Sequence, residues 1–155
     1  MKSPESAYLI QHTGISDRDM RIEVFVICEG ATEQNGRLSL VGTYEMIGVP
    51  AFPSVMPAIT IAVRVRFWPA ECRRHLVRPE ITNPDGGCVV RTGESPITLN
   101  PPNPDRSIAY NVIGQFKEVQ FDQPGEYSVD FYLNGCIESR LPFCVLPNIA
   151  FGNPF

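Results

Sequence analysis

The chain lacks the signatures by which most enzymes can be read from sequence. There is no GxSxG elbow, no GxxxxGK[ST] phosphate loop, no GxGxxG after a strand and no HExxH helix, which removes the commonest hydrolase, nucleotide and zinc-protease readings. Histidine is scarce as well. Only His12 and His75 could serve a Ser-His-Asp or Cys-His system, and neither stands in a context that suggests a nucleophile. The expectation is a protein that is not an enzyme and needs no cofactor.

Other absences bound the class. The five cysteines, Cys28, Cys72, Cys88, Cys136 and Cys144, form an odd set without a CxxC pair, which predicts reduced, mostly buried thiols and no structural disulfide. No run of eighteen apolar residues occurs, so no membrane-spanning helix is expected. Pro4 and Glu5 stand where a secretory signal would carry its apolar core, which places the expected address in the cytoplasm. The formal charge of -4 and pI near 5.2 argue against a general nucleic-acid binder, because neutralising phosphates takes a basic surface.

What is present points to strands. Fifteen prolines and twelve glycines in 155 residues leave little room for long helices, while apolar and polar residues alternate at period two in several runs. Ile59, Ile61, Val63, Val65 and Phe67 oppose Thr60, Ala62, Arg64, Arg66 and Trp68 in the cleanest of them. Tyr127, Val129, Phe131 and Leu133 oppose Glu126, Ser128 and Asp130, and Asn134-Gly135 then supplies the positive φ of a tight hairpin. Asn35-Gly36 does the same after Ile22, Val24, Val26 and Cys28, which read as a central strand. Pro50, Pro53 and Pro57 read as a stiff link between sheets, and Pro79 confines its strand to an edge or a bulge.

The predicted architecture is an all-β, immunoglobulin-like antiparallel β-sandwich of about seven or eight strands with no long helix. It spans residues 20–147, between a polar N-terminal arm at 1–19 and an apolar C-terminal tail at 148–155. Its core is predicted to hold Ile61, Val63, Val65, Val112, Tyr127, Val129, Phe131 and Phe143. Pro124-Gly125-Glu126-Tyr127 resembles the start of a late sandwich strand, where a corner tyrosine ties its hydroxyl to nearby backbone.

Cys28-Glu29, Gly36-Arg37-Leu38-Ser39-Leu40-Val41-Gly42-Thr43, Phe52-Pro53, Asn83-Pro84-Asp85-Gly86 and Pro124-Gly125-Glu126-Tyr127 occur in an order that resembles an uncharacterised family of small bacterial proteins. The resemblance covers roughly residues 20–146 and implies an immunoglobulin-like sandwich. It implies no activity that could be carried to positions here.

Three sites can be drawn from residue chemistry. Between Arg64 and Arg91 six arginines face Glu71, Glu80 and Asp85, so this stretch is +3 while the rest is -7. Arg64, Arg66, Trp68 and Arg74 are its candidate contacts for an anion or another partner. The plainer reading pairs these arginines with glutamates of a neighbouring strand. Cys72-Arg73-Arg74-His75 has the spacing of half a zinc site that Cys88 could approach, which would make a metal-dependent enzyme. A fourth ligand is missing, and a buried thiol beside an exposed histidine is the favoured reading. Ile149, Phe151 and Phe155 are too apolar for a free tail and predict cis packing or self-association. Together these give a non-catalytic protein-binding or assembly module, with a second copy or another protein as partner, and neither nucleic acid nor membrane.

Overall fold

The computed structural model describes residues 20–148, so the arm at 1–19 and the tail residues Ile149, Phe151 and Phe155 lie outside the described residues. The chain is all-β. Ten strands run in order β1 Arg21–Gln34, β2 Arg37–Tyr44, β3 Met46–Val49, β4 Ser54–Phe67, β5 Arg74–Thr82, β6 Cys88–Arg91, β7 Ser95–Thr98, β8 Ile108–Phe121, β9 Gly125–Leu133 and β10 Cys136–Pro147, with one 3-10 turn at Pro69–Glu71. Sheet A has the order β2-β1-β4-β8, and sheet B has the order β3-β10-β9-β5-β6, with β7 also on β5.

The inward residues of β4, namely Ile59, Ile61, Val63, Val65 and Phe67, are fully buried. They meet Ile81, Val129, Phe131, Phe143 and Val145 from sheet B in one core. Phe25 of sheet A reaches Phe131 of sheet B edge-on, with ring centroids 6.3 Å apart. Every residue predicted for the core is buried except Val112, which is half-buried because β8 is the outer strand of sheet A.

Three expectations about strands need correction. Among the described residues the strand count is ten rather than seven or eight, because β3 and the proline-bearing β7 are four-residue strands too short to show a period. Sheet B is mixed rather than antiparallel, since β3 runs parallel to β10 from Met46↔Cys144 to Val49↔Pro147. Pro79 does not put β5 at an edge. β5 pairs with β9 on one side, while β7 and β6 share its other side, at Arg74 to Val77 and from Glu80 onward. Pro79 falls in the gap between them, where a missing N–H breaks no ladder and its carbonyl accepts from Thr92 N–H at 3.3 Å.

Both Asn-Gly turns form as the sequence predicts. Asn35 and Gly36 take φ 52° and 76°, and Asn134 and Gly135 take 52° and 80°, the mirror-image geometry that suits strand twist. The β1–β2 hairpin curls back over the outer face of sheet A. There the Gly36 carbonyl accepts from Arg64 Nη1 at 3.1 Å and from Asn111 Nδ2 at 3.3 Å. Cys28, Thr60 and Ala62 point to that face and are nevertheless buried.

The tyrosine tie also forms. Tyr127 is 2% exposed, and its hydroxyl donates to the Gln123 carbonyl at 2.7 Å. Tyr127→Phe is expected to cost about 1 kcal/mol or more by stranding that carbonyl. Burial also pushes the phenol above its ordinary value of 10.0, so above that pH the folded chain keeps a proton the unfolded chain loses. The contribution of this phenol to stability should be level below about pH 10 and fall as pH rises toward the folded value. Urea melts should show the lower midpoint in the mutant at neutral pH and a shallower alkaline decline.

Candidate functional site

The residues singled out by sequence divide between the two outer faces. Arg64 and Arg66 point outward from β4, and Trp68 follows at the same parity where the strand ends. Arg21 stands opposite Arg66 on β1, and its guanidinium lies 5.8 Å from the centre of the Trp68 ring, a cation–π arrangement. One carboxylate bridges the two β4 arginines. Glu23 pairs with Arg66 and lies 3.5 Å from Arg64 Nε.

Neutral donors and acceptors complete the cluster. Arg64 Nη1 donates to Asn111 Oδ1 at 3.0 Å, and Arg66 Nη1 donates to Ser107 Oγ at 3.1 Å. The arginine side chains remain 25% and 31% exposed. Below Trp68, the Glu71 carboxylate accepts from Met20 N–H at 3.1 Å and Trp68 N–H at 3.4 Å, tying the start of β1 to the end of β4.

Arg74 does not join this cluster. It is exposed on β5 of sheet B, opposite Thr98. The six-arginine stretch is continuous in sequence but not in space, because the chain changes sheets between β4 and β5.

The metal reading fails on geometry. His75 is 3% exposed and stacks on Phe67, with ring centroids 4.9 Å apart. Its Nδ1 accepts from Asn134 Nδ2 at 2.9 Å and its Nε2 lies 2.8 Å from the Glu71 carbonyl, so the proton is on Nε2 and both nitrogens are engaged. Cys72 turns its thiol to the Trp68 carbonyl at 3.5 Å. Cys88 stands opposite Thr82, seven residues along β5 and so about 23 Å from His75. The thiols also differ from the expected pattern: among the five, only Cys28 is buried, and Cys88 and Cys136 are exposed.

A second cluster, missed by sequence reasoning, crosses sheet B. Arg91 is the register partner of Glu80, Glu80 of Asp130, and Asp130 of Arg140. Four strands thus carry Arg91, Glu80, Asp130 and Arg140 in one row on the outer face. Arg140 holds Asp130 with two bonds, Nε to Oδ1 at 2.9 Å and Nη2 to Oδ2 at 3.2 Å. Thr82 and Ser128 hydroxyls donate to the same carboxylate at 2.8 Å and 2.9 Å. Glu80 pairs with Arg78 and lies 3.8 Å from Arg91. Arg78 in turn lies 4.1 Å over the Tyr132 ring. The signal in the sequence is a carboxylate between core residues, Glu80 between Pro79 and Ile81 and Asp130 between Val129 and Phe131.

The chain belongs to a family of unknown function, DUF6941, whose model matches residues 23–146. No curated protein matches the chain. Among solved structures, the fold is similar to part of the Pseudomonas fluorescens alkylpurine DNA glycosylase AlkC bound to DNA containing an abasic site analog, with a TM-score of 0.50 and 10% identity. The likeness covers 83% of this chain but 31% of that one.

That likeness corrects the partner expectation. A similar fold occurs within a protein held on DNA, so an overall charge of -4 no longer excludes nucleic acid. Neither the family match nor the structural likeness supports the expected protein-binding, self-associating role. Among the described residues no helix is long and apolar enough to cross a membrane.

Proposed function

We propose that this chain is an immunoglobulin-like, non-catalytic binding domain of the cytoplasm that grips phosphate groups of a nucleic-acid strand. The contact surface is the outer face of sheet A. The observation that carries the reading is the pair Arg64 and Arg66 held by Glu23 on the outer face of β4, with Trp68 and Arg21 beside them on the same face.

Glu23, Asn111 and Ser107 hold the guanidinium groups in place before a ligand arrives, so less side-chain entropy is lost on binding. Trp68 offers a flat face for a base, and stacking tolerates any sequence. The tyrosine tie at Tyr127 supports the immunoglobulin-like reading. The likeness to a DNA-bound glycosylase supports the ligand class.

Three arginine contacts to a single strand imply a slope of about -2 for the logarithm of affinity against that of salt. Raising salt from about 50 to about 200 mM should weaken binding roughly 15- to 20-fold. Trp68 is the sole tryptophan, so its fluorescence reports this face alone. A labelled single-stranded oligonucleotide should raise anisotropy and quench Trp68, and Arg66→Gln should weaken both. An unchanged tryptophan signal at saturating oligonucleotide would overturn the assignment of this face.

A further inference from the structure

We infer that the outer face of sheet B carries a second phosphate-gripping row, in which Arg91 and Arg140 are held over the buried carboxylates of Glu80 and Asp130 and take a phosphodiester strand. The inference rests on the binding function proposed above but uses other residues on the opposite face.

What a ligand meets on this row is guanidinium rather than carboxylate. The Arg91 and Arg140 side chains are each 62% exposed, whereas Glu80 and Asp130 are 10% and 2% exposed. The carboxylates act as anchors. Asp130 engages the Nε and Nη2 edge of Arg140, which leaves the Nη1 end to accept a second, bidentate partner such as a phosphate. Arg91 Nε lies 3.8 Å from the Glu80 carboxylate. Arg78, locked between Glu80 and Tyr132, adds charge behind the row.

Spacing selects the ligand. Arg91 and Arg140 lie on β6 and β10, three strand intervals apart, which is about 14 Å between backbones. One small anion cannot bridge that distance with good geometry at both ends. A strand repeats its phosphates along its whole length and can place one at each arginine. Beside the row, Arg140 lines a groove of about 440 Å³ with Thr82, Asn83, Gly86 and Ser128, and with Glu126.

The test compares wild type, Arg91→Gln, Arg140→Lys and Arg66→Gln against a labelled single-stranded oligonucleotide, with polyglutamate as the competing polyanion. Arg91→Gln leaves Arg78 on Glu80 and should melt like wild type. It should weaken binding several-fold and reduce the salt slope by about 0.7. Arg140→Lys keeps a charge over Asp130 but loses the fork, so it should weaken binding with little change in slope. If wild type binds no oligonucleotide, both this row and the proposed function fall. If Arg66→Gln weakens binding while Arg91→Gln and Arg140→Lys do not, the row alone is overturned. Loss in the two row variants with none in Arg66→Gln supports the row and removes the sheet A site. Polyglutamate bound in preference to the oligonucleotide, and released by Arg91→Gln, would overturn the phosphodiester assignment.

Discussion

Phe121→Ala is expected to lower stability by about 3–5 kcal/mol, read as a lower urea midpoint with an unchanged slope. Phe121 ends β8 in sheet A and is fully buried. Its ring meets Tyr127 edge-on at 4.9 Å and Phe143 at 6.2 Å, both from sheet B. Tyr127 and Phe143 stack on each other at 5.8 Å. Truncation therefore opens a cavity where three rings join the sheets, and rings fixed by paired strands can collapse into it only in part. Phe121→Leu should recover much of the loss. A midpoint within experimental error of wild type for the alanine variant would mean that this cluster does not hold the sheets together.

Much of that cluster is legible in the amino-acid sequence. Tyr127 and Phe143 fall on inward positions of period-two runs, and alternation survives in a sheet buried on one face because each slip would turn the whole apolar set outward. The Asn-Gly turns are equally legible, since few residues take φ near 52° and 80° at low cost. The short strands β3 and β7 are not. Four residues span two periods, and Pro96 in β7 counts against a strand unless an edge position is already known.

The binding surfaces divide in the same way. Arg64 and Arg66 share one strand and Trp68 follows it at the same parity, so alternation alone puts them on one face. Sequence order misgroups Arg74 with them, because adjacency along the chain says nothing about which sheet the next strand joins. The Arg91, Glu80, Asp130 and Arg140 row requires the register of three strand pairs, and its members are widely scattered along the sequence. That register is set by the apolar residues between them, Ile81 opposite Val129 and Val129 opposite Leu141, and not by the charges themselves.

Arg140→Met is therefore expected to destabilise the chain by about 2–3 kcal/mol, although Arg140 is itself 62% exposed. An exposed ion pair ordinarily contributes about 0–1 kcal/mol, because water and salt screen both partners. Here the partners differ. Asp130 is 2% exposed, so removing the guanidinium leaves a buried carboxylate with only the Thr82 and Ser128 hydroxyls to hold it. Those two bonds bring the expected loss below the upper end for a severed buried pair. Asp130→Asn tests the same pairing from the other side: the amide is neutral, and its NH₂ would turn a donor toward Arg140, Thr82 or Ser128. The double mutant should cost less than the sum of the two single changes by about 1 kcal/mol or more, since the second change removes a group already stranded by the first. Urea melts of the four proteins measure this coupling. Strict additivity, with Arg140→Met near wild type, would show that Asp130 is satisfied without its arginine and that the row is not anchored by its carboxylates.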